Sequence, residues 1–202
     1  LNVEINVDDK GRVVVSENYR AIQNRGSAGF VKDILGWYMD FYGSDYVYRK
    51  GYVMLPSGEE ESITDDWILF YPDMYGEGEF GFSIHYEFDL DIASTLMMSD
   101  SVAIGLSFTS QEPEIQYENI FIKVRTDLET ESCYIMRGYD SLPDGTFTYK
   151  TTDGGTDITY NPGEAGALAD SVPRVLKLCF PEDAPFIIHN GKLFGFVPAI
   201  SI

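Results

Sequence analysis

Hydrophobic and polar residues alternate along much of this chain, and the period is two. From Phe80 to Ile92, Phe80, Phe82, Ile84, Tyr86, Phe88, Leu90 and Ile92 fall on one side and Gly81, Ser83, His85, Glu87, Asp89 and Asp91 on the other. Successive side chains of a strand point to opposite faces, so this run predicts one long, half-buried β-strand. Val102–Phe108 repeats the pattern, with Val102, Ile104, Leu106 and Phe108 set against Ala103, Gly105 and Ser107. Ile115–Arg125 continues it, with Ile120, Ile122 and Val124 opposed to Asn119, Lys123 and Arg125. Shorter runs predict strands at Val3–Val7, Arg12–Val15, Tyr46–Leu55, Trp67–Tyr71, Cys133–Tyr139, Phe147–Thr151, Asp157–Tyr160 and Val175–Phe180. Near the end, Phe186–His189, Asn190-Gly191 and Lys192–Val197 read as a hairpin, because a two-residue type I′ turn needs positive φ at both central positions and Asn-Gly supplies it.

Two stretches read as helical. Phe30, Ile34, Trp37 and Phe41 recur at helical spacing behind a possible Ser27 cap, although Gly36 weakens the helix, and Glu164–Asp170 has the length of one or two turns. Turn clusters at Asp8-Asp9-Lys10-Gly11, Pro56-Ser57-Gly58, Leu142-Pro143-Asp144-Gly145 and Asp153-Gly154-Gly155 separate the strands. No fixed-period repeat or low-complexity linker divides the chain. The expected fold is therefore all-β: an antiparallel β-sandwich or barrel with one or two short helices. One domain spans residues 1–202, with 1–60 supplying extra strands and a short helix packed on a core formed by 65–202.

Charge narrows the partners. The 202 residues carry 14 Lys and Arg against 33 Asp and Glu, a formal charge of −19. Phosphate backbones and anionic lipid surfaces need clustered cations, so the charge argues against nucleic acid and against an anionic membrane surface as partners. No apolar run approaches the roughly 20 residues of a membrane-spanning helix. The chain opens at Leu1 without a charged-then-apolar leader, which reads as a processed or excised piece of something larger. Cys133 and Cys179 could form one disulfide or stay a buried thiol pair. With only His85 and His189 as histidines, they do not make a zinc site. Fourteen Tyr and thirteen Phe suit strands, and Tyr also offers a flat apolar face with a polar tip.

Placed on these strands, Phe80-Gly-Phe-Ser-Ile-His-Tyr-Glu-Phe-Asp-Leu-Asp followed by Val102-Ala-Ile-Gly-Leu-Ser-Phe resembles the paired strands of concanavalin A-like and laminin G-like jelly rolls. Val175-Leu-Lys-Leu-Cys-Phe and Phe186-Ile-Ile-His-Asn-Gly-Lys-Leu-Phe resemble the later strands of that superfamily. The likeness covers roughly residues 65–202. It implies two stacked sheets with one face left free, and in the superfamily that face or its loops commonly bind carbohydrate. It also implies that a structural calcium is possible, with no ligand residues that can be named; no other cofactor is expected.

Several groups carry candidate chemistry. Glu87-Phe88-Asp89-Leu90-Asp91 is similar to the Glu-x-Asp-x-Glu strand of laminarinase-type glycosidases, and period two puts its three acids on one face. Asp91 is a methylene shorter than the Glu of that motif, which works against the close carboxyl pair of retaining hydrolysis. A charged outer strand face is the simpler reading, so no catalytic residue is assigned and the chain is read as more a binder than an enzyme. Gly76-Glu-Gly-Glu-Phe-Gly81 matches a dinucleotide-binding fingerprint formally, but it enters a strand and its acids would repel a pyrophosphate. His189, beside the hairpin turn, reads as structural. The candidate ligand-binding residues are Trp37, Tyr38, Tyr42, Tyr71, Tyr75, His85, Glu87, Asn119, Arg125, Arg137 and Tyr139, which together supply flat aromatic faces and groups that bond hydroxyls. The expected protein is a non-catalytic carbohydrate-binding or lectin-like module of a larger extracellular or surface-displayed protein. Its negative charge would favour neutral glycans. A virion or cell-surface structural or adhesion module that binds protein, and a laminarinase-type hydrolase, are the alternatives.

Overall fold

The computed structural model describes residues 1–23, 30–33, 47–63, 67–70, 78–89, 96–98, 101–107, 117–130, 132–137, 140–141, 145–161 and 174–181. These residues form β1 (Asn2–Val7), β2 (Arg12–Gln23), β3 (Phe30–Asp33), β4 (Val47–Met54), β5 (Glu60–Ser62), β6 (Trp67–Phe70), β7 (Gly78–Asp89), β8 (Leu96–Met98), β9 (Ser101–Ser107), β10 (Phe121–Thr126), β11 (Ser132–Arg137), β12 (Asp140–Ser141), β13 (Phe147–Thr152), β14 (Gly155–Tyr160) and β15 (Arg174–Pro181). The described chain is thus all-β, with no helix among the described residues. None of it is a helix long and apolar enough to cross a membrane.

Eight strands make one sheet in the order β13-β14-β10-β1-β2-β7-β4-β5. Five make a second, β12-β11-β15-β9-β8, and β3 pairs with β6 alone. The predicted alternation holds in the long strands. Along β7, Phe82, Ile84, Tyr86 and Phe88 are buried, and in β10 Ile122, Val124 and Thr126 are buried between half-buried neighbours. Because side chains directly opposite in adjacent strands share a face, register carries this pattern across the sheet. One row of pairs runs Ile158, Ile122, Val3, Glu17, Ile84, Val53 through five successive pairings. Ile135 of β11 and Leu176 and Leu178 of β15, in the second sheet, join the same apolar cluster as this row. A hydrogen bond also links the sheets: the Ile135 amide donates to the Tyr149 hydroxyl at 2.9 Å.

The structure corrects three expectations. The helix predicted from Phe30 onward does not start there: Phe30–Asp33 is a strand paired with Trp67–Phe70, and Phe30 is buried edge-on against Tyr19 and Phe82. Aromatic packing and pairing override the helical spacing at this point. The large sheet is mixed rather than purely antiparallel, since β1 runs parallel to β10 from Asn2 opposite Phe121 to Val7 opposite Thr126. Of the strand predicted over Ile115–Arg125, Glu118–Ile120 are not strand and β10 starts at Phe121; Ile115 and Gln116 lie outside the described residues. The second helical stretch, Glu164–Asp170, and the Asn190-Gly191 hairpin lie outside the described residues.

Cys133 and Cys179 are free thiols. Register explains why: Cys133 lies opposite Leu178 while Cys179 lies opposite Ser132, so alternation sends the two thiols to opposite faces of β11 and β15. Burial, reinforced by nearby Cys179, pushes the Cys133 thiol up to about 12. Its thiolate fraction at pH 8 should then be about a thousandfold below that of an ordinary cysteine. Iodoacetamide at pH 8 should leave Cys133 unmodified in the folded protein and alkylate both cysteines in urea. Rapid labelling of native Cys133 would contradict the burial described.

Candidate functional site on the polar face of the large sheet

The opposite face of the eight-stranded sheet is mostly polar from one edge to the other, interrupted by Val14, Phe121 and Met54, and the same register rule reads it off the sequence. One row runs Lys150, Asp157, Lys123, Glu4, Ser16, His85, Tyr52, Ser62, from one edge strand to the other. A flanking row runs Thr152, Gly155, Arg125, Asn6, Val14, Glu87, Lys50. The other flanking row is Thr148, Thr159, Phe121, Asn2, Asn18, Ser83, Met54, Glu60. A β-bulge between Tyr48 and Lys50 sets the final pairing. Tyr48 lies opposite Phe88 of the core-facing set, and the extra residue brings Lys50 opposite Glu87.

His85 stands at the centre. Its Nδ1 is 2.9 Å from the Ser16 Oγ and its Nε2 is 3.0 Å from the Ser83 Oγ. The ring stacks on Tyr52 with centroids 4.7 Å apart and planes 25° from parallel. All four residues are half-buried. The Tyr52 hydroxyl takes part in no hydrogen bond among the described residues.

Charge on this face is balanced. Arg12 and Lys50 both engage Glu87, the latter at 3.6 Å. Arg20 pairs with Glu79. Lys123 meets Glu4 at 3.4 Å and Arg125 meets Asp157 at 2.6 Å. With Lys150, these are six of the fourteen Lys and Arg in the whole chain. The face therefore holds a large share of the cations of a protein whose net charge is −19.

The structure brings together three of the sequence-predicted residues here. His85 is central. Glu87 shares its strand face but is only 8% exposed. The Arg12 guanidinium beside it holds its carboxyl below the usual carboxylate range, and Lys50 adds to the effect. Arg125 lies two strands from β2, half-buried, tied to Asp157 and to the Val124 carbonyl at 2.8 Å. Asn119 is exposed just before β10, where its carbonyl accepts a hydrogen bond from the Leu1 nitrogen at 2.8 Å. Arg137 ends β11 in the smaller sheet, opposite Arg174, so it does not belong to this face. Trp37, Tyr38, Tyr42, Tyr71, Tyr75 and Tyr139 lie outside the described residues, and so does Asp91 of the acidic strand motif. Among the described residues no three His, Cys, Asp or Glu side chains come together in a way that could hold a metal ion.

Sequence reasoning did not select Ser16, Ser83 or Tyr52. Ser83 has the parity of His85 on β7, and Tyr52 the parity of Lys50 on β4, so alternation alone places each on a polar face. Only the pairing of three strands shows that the three faces are one. It also overlooked Glu17, on the core side. That carboxylate is 0% exposed and accepts hydrogen bonds from the Tyr19 hydroxyl at 2.7 Å and the Tyr86 hydroxyl at 3.0 Å.

No protein-family model matches this chain, and no curated protein matches it. Among solved structures it is similar to the crystal structure of a "putative protease" from Parabacteroides distasonis, with a TM-score of 0.34 and 9% identity over 89% of this chain. The chain spans 39% of the length of that protein, and so remote a likeness bears on neither fold family nor activity.

Proposed function

We propose that the two sheets are the layers of a concanavalin A-like sandwich and that the polar face of the larger one is a non-catalytic carbohydrate-binding surface of an extracellular or surface-displayed protein. The layered reading is supported by the single apolar cluster to which both sheets contribute. The binding reading rests on one observation: a half-exposed Tyr52 ring, its hydroxyl bonded to no described residue, set beside the serine-flanked His85 in a charge-balanced field. Sugar rings pack their C–H faces on aromatic rings while rotatable hydroxyls, amides and carboxylates meet their hydroxyls. A face whose ion pairs are already satisfied has little net charge to offer an ionic ligand, and the acidic remainder of the protein repels anionic ones. Both features favour a neutral glycan.

The test is a panel of neutral and acidic polysaccharides and glycans, with binding and reducing-sugar release measured together. Binding of neutral polymers without product is expected. Tyr52→Ala should weaken it at least about tenfold, the loss expected for one stacking contact with its buried area. Product release abolished by Glu87→Gln would replace this reading with the hydrolase, and silence across the panel would point to a protein partner instead.

A further inference from the structure

We propose that His85 is a proton-operated switch of hydroxyl direction: protonation of its ring turns one of its two serine hydroxyls outward and adds a hydrogen-bond donor to the polar face. Its effect on ligand rests on the reading of that face as a glycan surface, while the switch itself is a property of the three side chains.

A neutral imidazole has one N–H donor and one bare acceptor nitrogen. With serine oxygens 2.9 and 3.0 Å from its two nitrogens, one serine must donate to the ring and the other must accept from it. The imidazolium has two donors and no acceptor. Both serines then accept, so the hydroxyl that had been donating swings its hydrogen away from the ring. That rotation needs no backbone movement, and the proton comes from water. Ser16 lies opposite His85 and diagonal to Ser83 on the same polar face, and each is half-buried, so the freed O–H is available to a ligand on that face.

The surroundings accept the added charge. On β4, the Tyr52 ring stacked on His85 favours a cation over its face, and Lys50 is already held by Glu87. Glu87 on β7 is also held by Arg12 of β2. Beyond Ser16, Glu4 of β1 is matched by Lys123 of β10. Beyond Tyr52, β5 presents the uncharged Ser62. Among these side chains, each cation near the imidazolium is already matched by a carboxylate, within a strongly acidic protein.

Nitrogen NMR of the protein across pH 4.5–8.5, with His85→Gln to assign the signals, tests the switch. The neutral ring should be held as a single tautomer, with one pyrrole-like and one pyridine-like nitrogen, and acidification should make both nitrogens pyrrole-like. An even tautomer mixture, or no proton uptake over that range, overturns the proposal. The second arm is affinity for the neutral polysaccharide selected by the panel, at pH 8 and pH 5. Affinity should rise about fivefold on acidification, as expected for one added neutral hydrogen bond. It should be flat in His85→Gln. Of Ser16→Ala and Ser83→Ala, only the variant that removes the donating hydroxyl should flatten it, a difference that a merely structural role for both serines would not produce. Equal affinity at both pH values in the unaltered protein overturns the switch as a control of ligand. Failure to bind any glycan at either pH overturns the carbohydrate reading, while the NMR arm still decides the switch.

Discussion

Gly155→Ala should lower the folding free energy by about 3 kcal/mol, combining overpacking with an unfavourable backbone conformation. Gly155 opens β14 with φ at 157°, facing Arg125 of β10 on one side and Thr152 of β13 on the other. A Cβ there would stand 1.9 Å from the Val124 carbonyl oxygen and 2.9 Å from its carbon. Those are backbone atoms of the neighbouring strand, so no side chain can swing aside to make room. Relief requires β10 and β14 to part, which strains the ladder between them and moves Asp157 away from Arg125. Gly154 is the internal control. Its φ is 76°, but a Cβ would meet nothing within 4 Å, so Gly154→Ala should cost only about 1 kcal/mol from backbone preference. Urea unfolding of the two variants measures both. Equal midpoints would mean that the strands approach less closely at Gly155 than described. A large loss at Gly155 alone would confirm the close approach of β14 to the β10 backbone at that point.

The same contrast between local and non-local information explains what the sequence makes legible. β7 and β1 are readable because apolar and polar residues alternate on them without interruption, and burial of one face is what selects that alternation. β2 is readable only to Val15. Its core face continues through Glu17, Tyr19 and Ala21, but a carboxylate in an apolar position breaks the pattern, and the strand runs on to Gln23. Phe30 misleads in the opposite direction. Its spacing to Ile34 fits a helix, while the partners that bury it, Tyr19 and Phe82, are distant in the chain. The parallel pairing of β1 with β10 joins segments more than a hundred residues apart, and nothing in either strand's alternation encodes it. The candidate site fails to show for that reason: His85 and Glu87 reveal their face within β7, but Ser16, Tyr52 and Lys50 reach them only through pairings on both sides and a bulge.

Glu17, which hides the far half of β2 from the sequence, also predicts the other large effect. Glu17→Leu should destabilise the protein by about 3 kcal/mol, because two buried phenol hydroxyls lose the acceptor they now share and each such loss costs roughly 1–3 kcal/mol. The row around it, Ile122, Val3, Ile84 and Val53, is apolar and would accommodate leucine, so the penalty resides in Tyr19 and Tyr86 rather than in leucine itself. The triple variant Glu17→Leu, Tyr19→Phe, Tyr86→Phe should therefore recover most of the loss, since removing two donors together with their acceptor is far less costly than removing the acceptor alone. If the triple variant is no better than the single one, the cluster is not what Glu17 stabilises. Alkaline pH offers an independent measurement. Burial first, and the Glu17 carboxylate second, hold the Tyr19 and Tyr86 phenols well above their ordinary 10. These groups are neutral when protonated and their folded values are raised, so their contribution is complete below pH 10 and declines as pH rises beyond it, where the unfolded chain releases protons that the folded one retains. Two such groups give a slope of up to about 2.7 kcal/mol per pH unit. Denaturant unfolding between pH 9 and pH 12 should show that decline in the native sequence and a markedly shallower one when both tyrosines are phenylalanine. Matching slopes would mean that the two phenols ionise as freely in the folded protein as in the unfolded chain, which a carboxylate with both oxygens occupied in a closed apolar core does not permit.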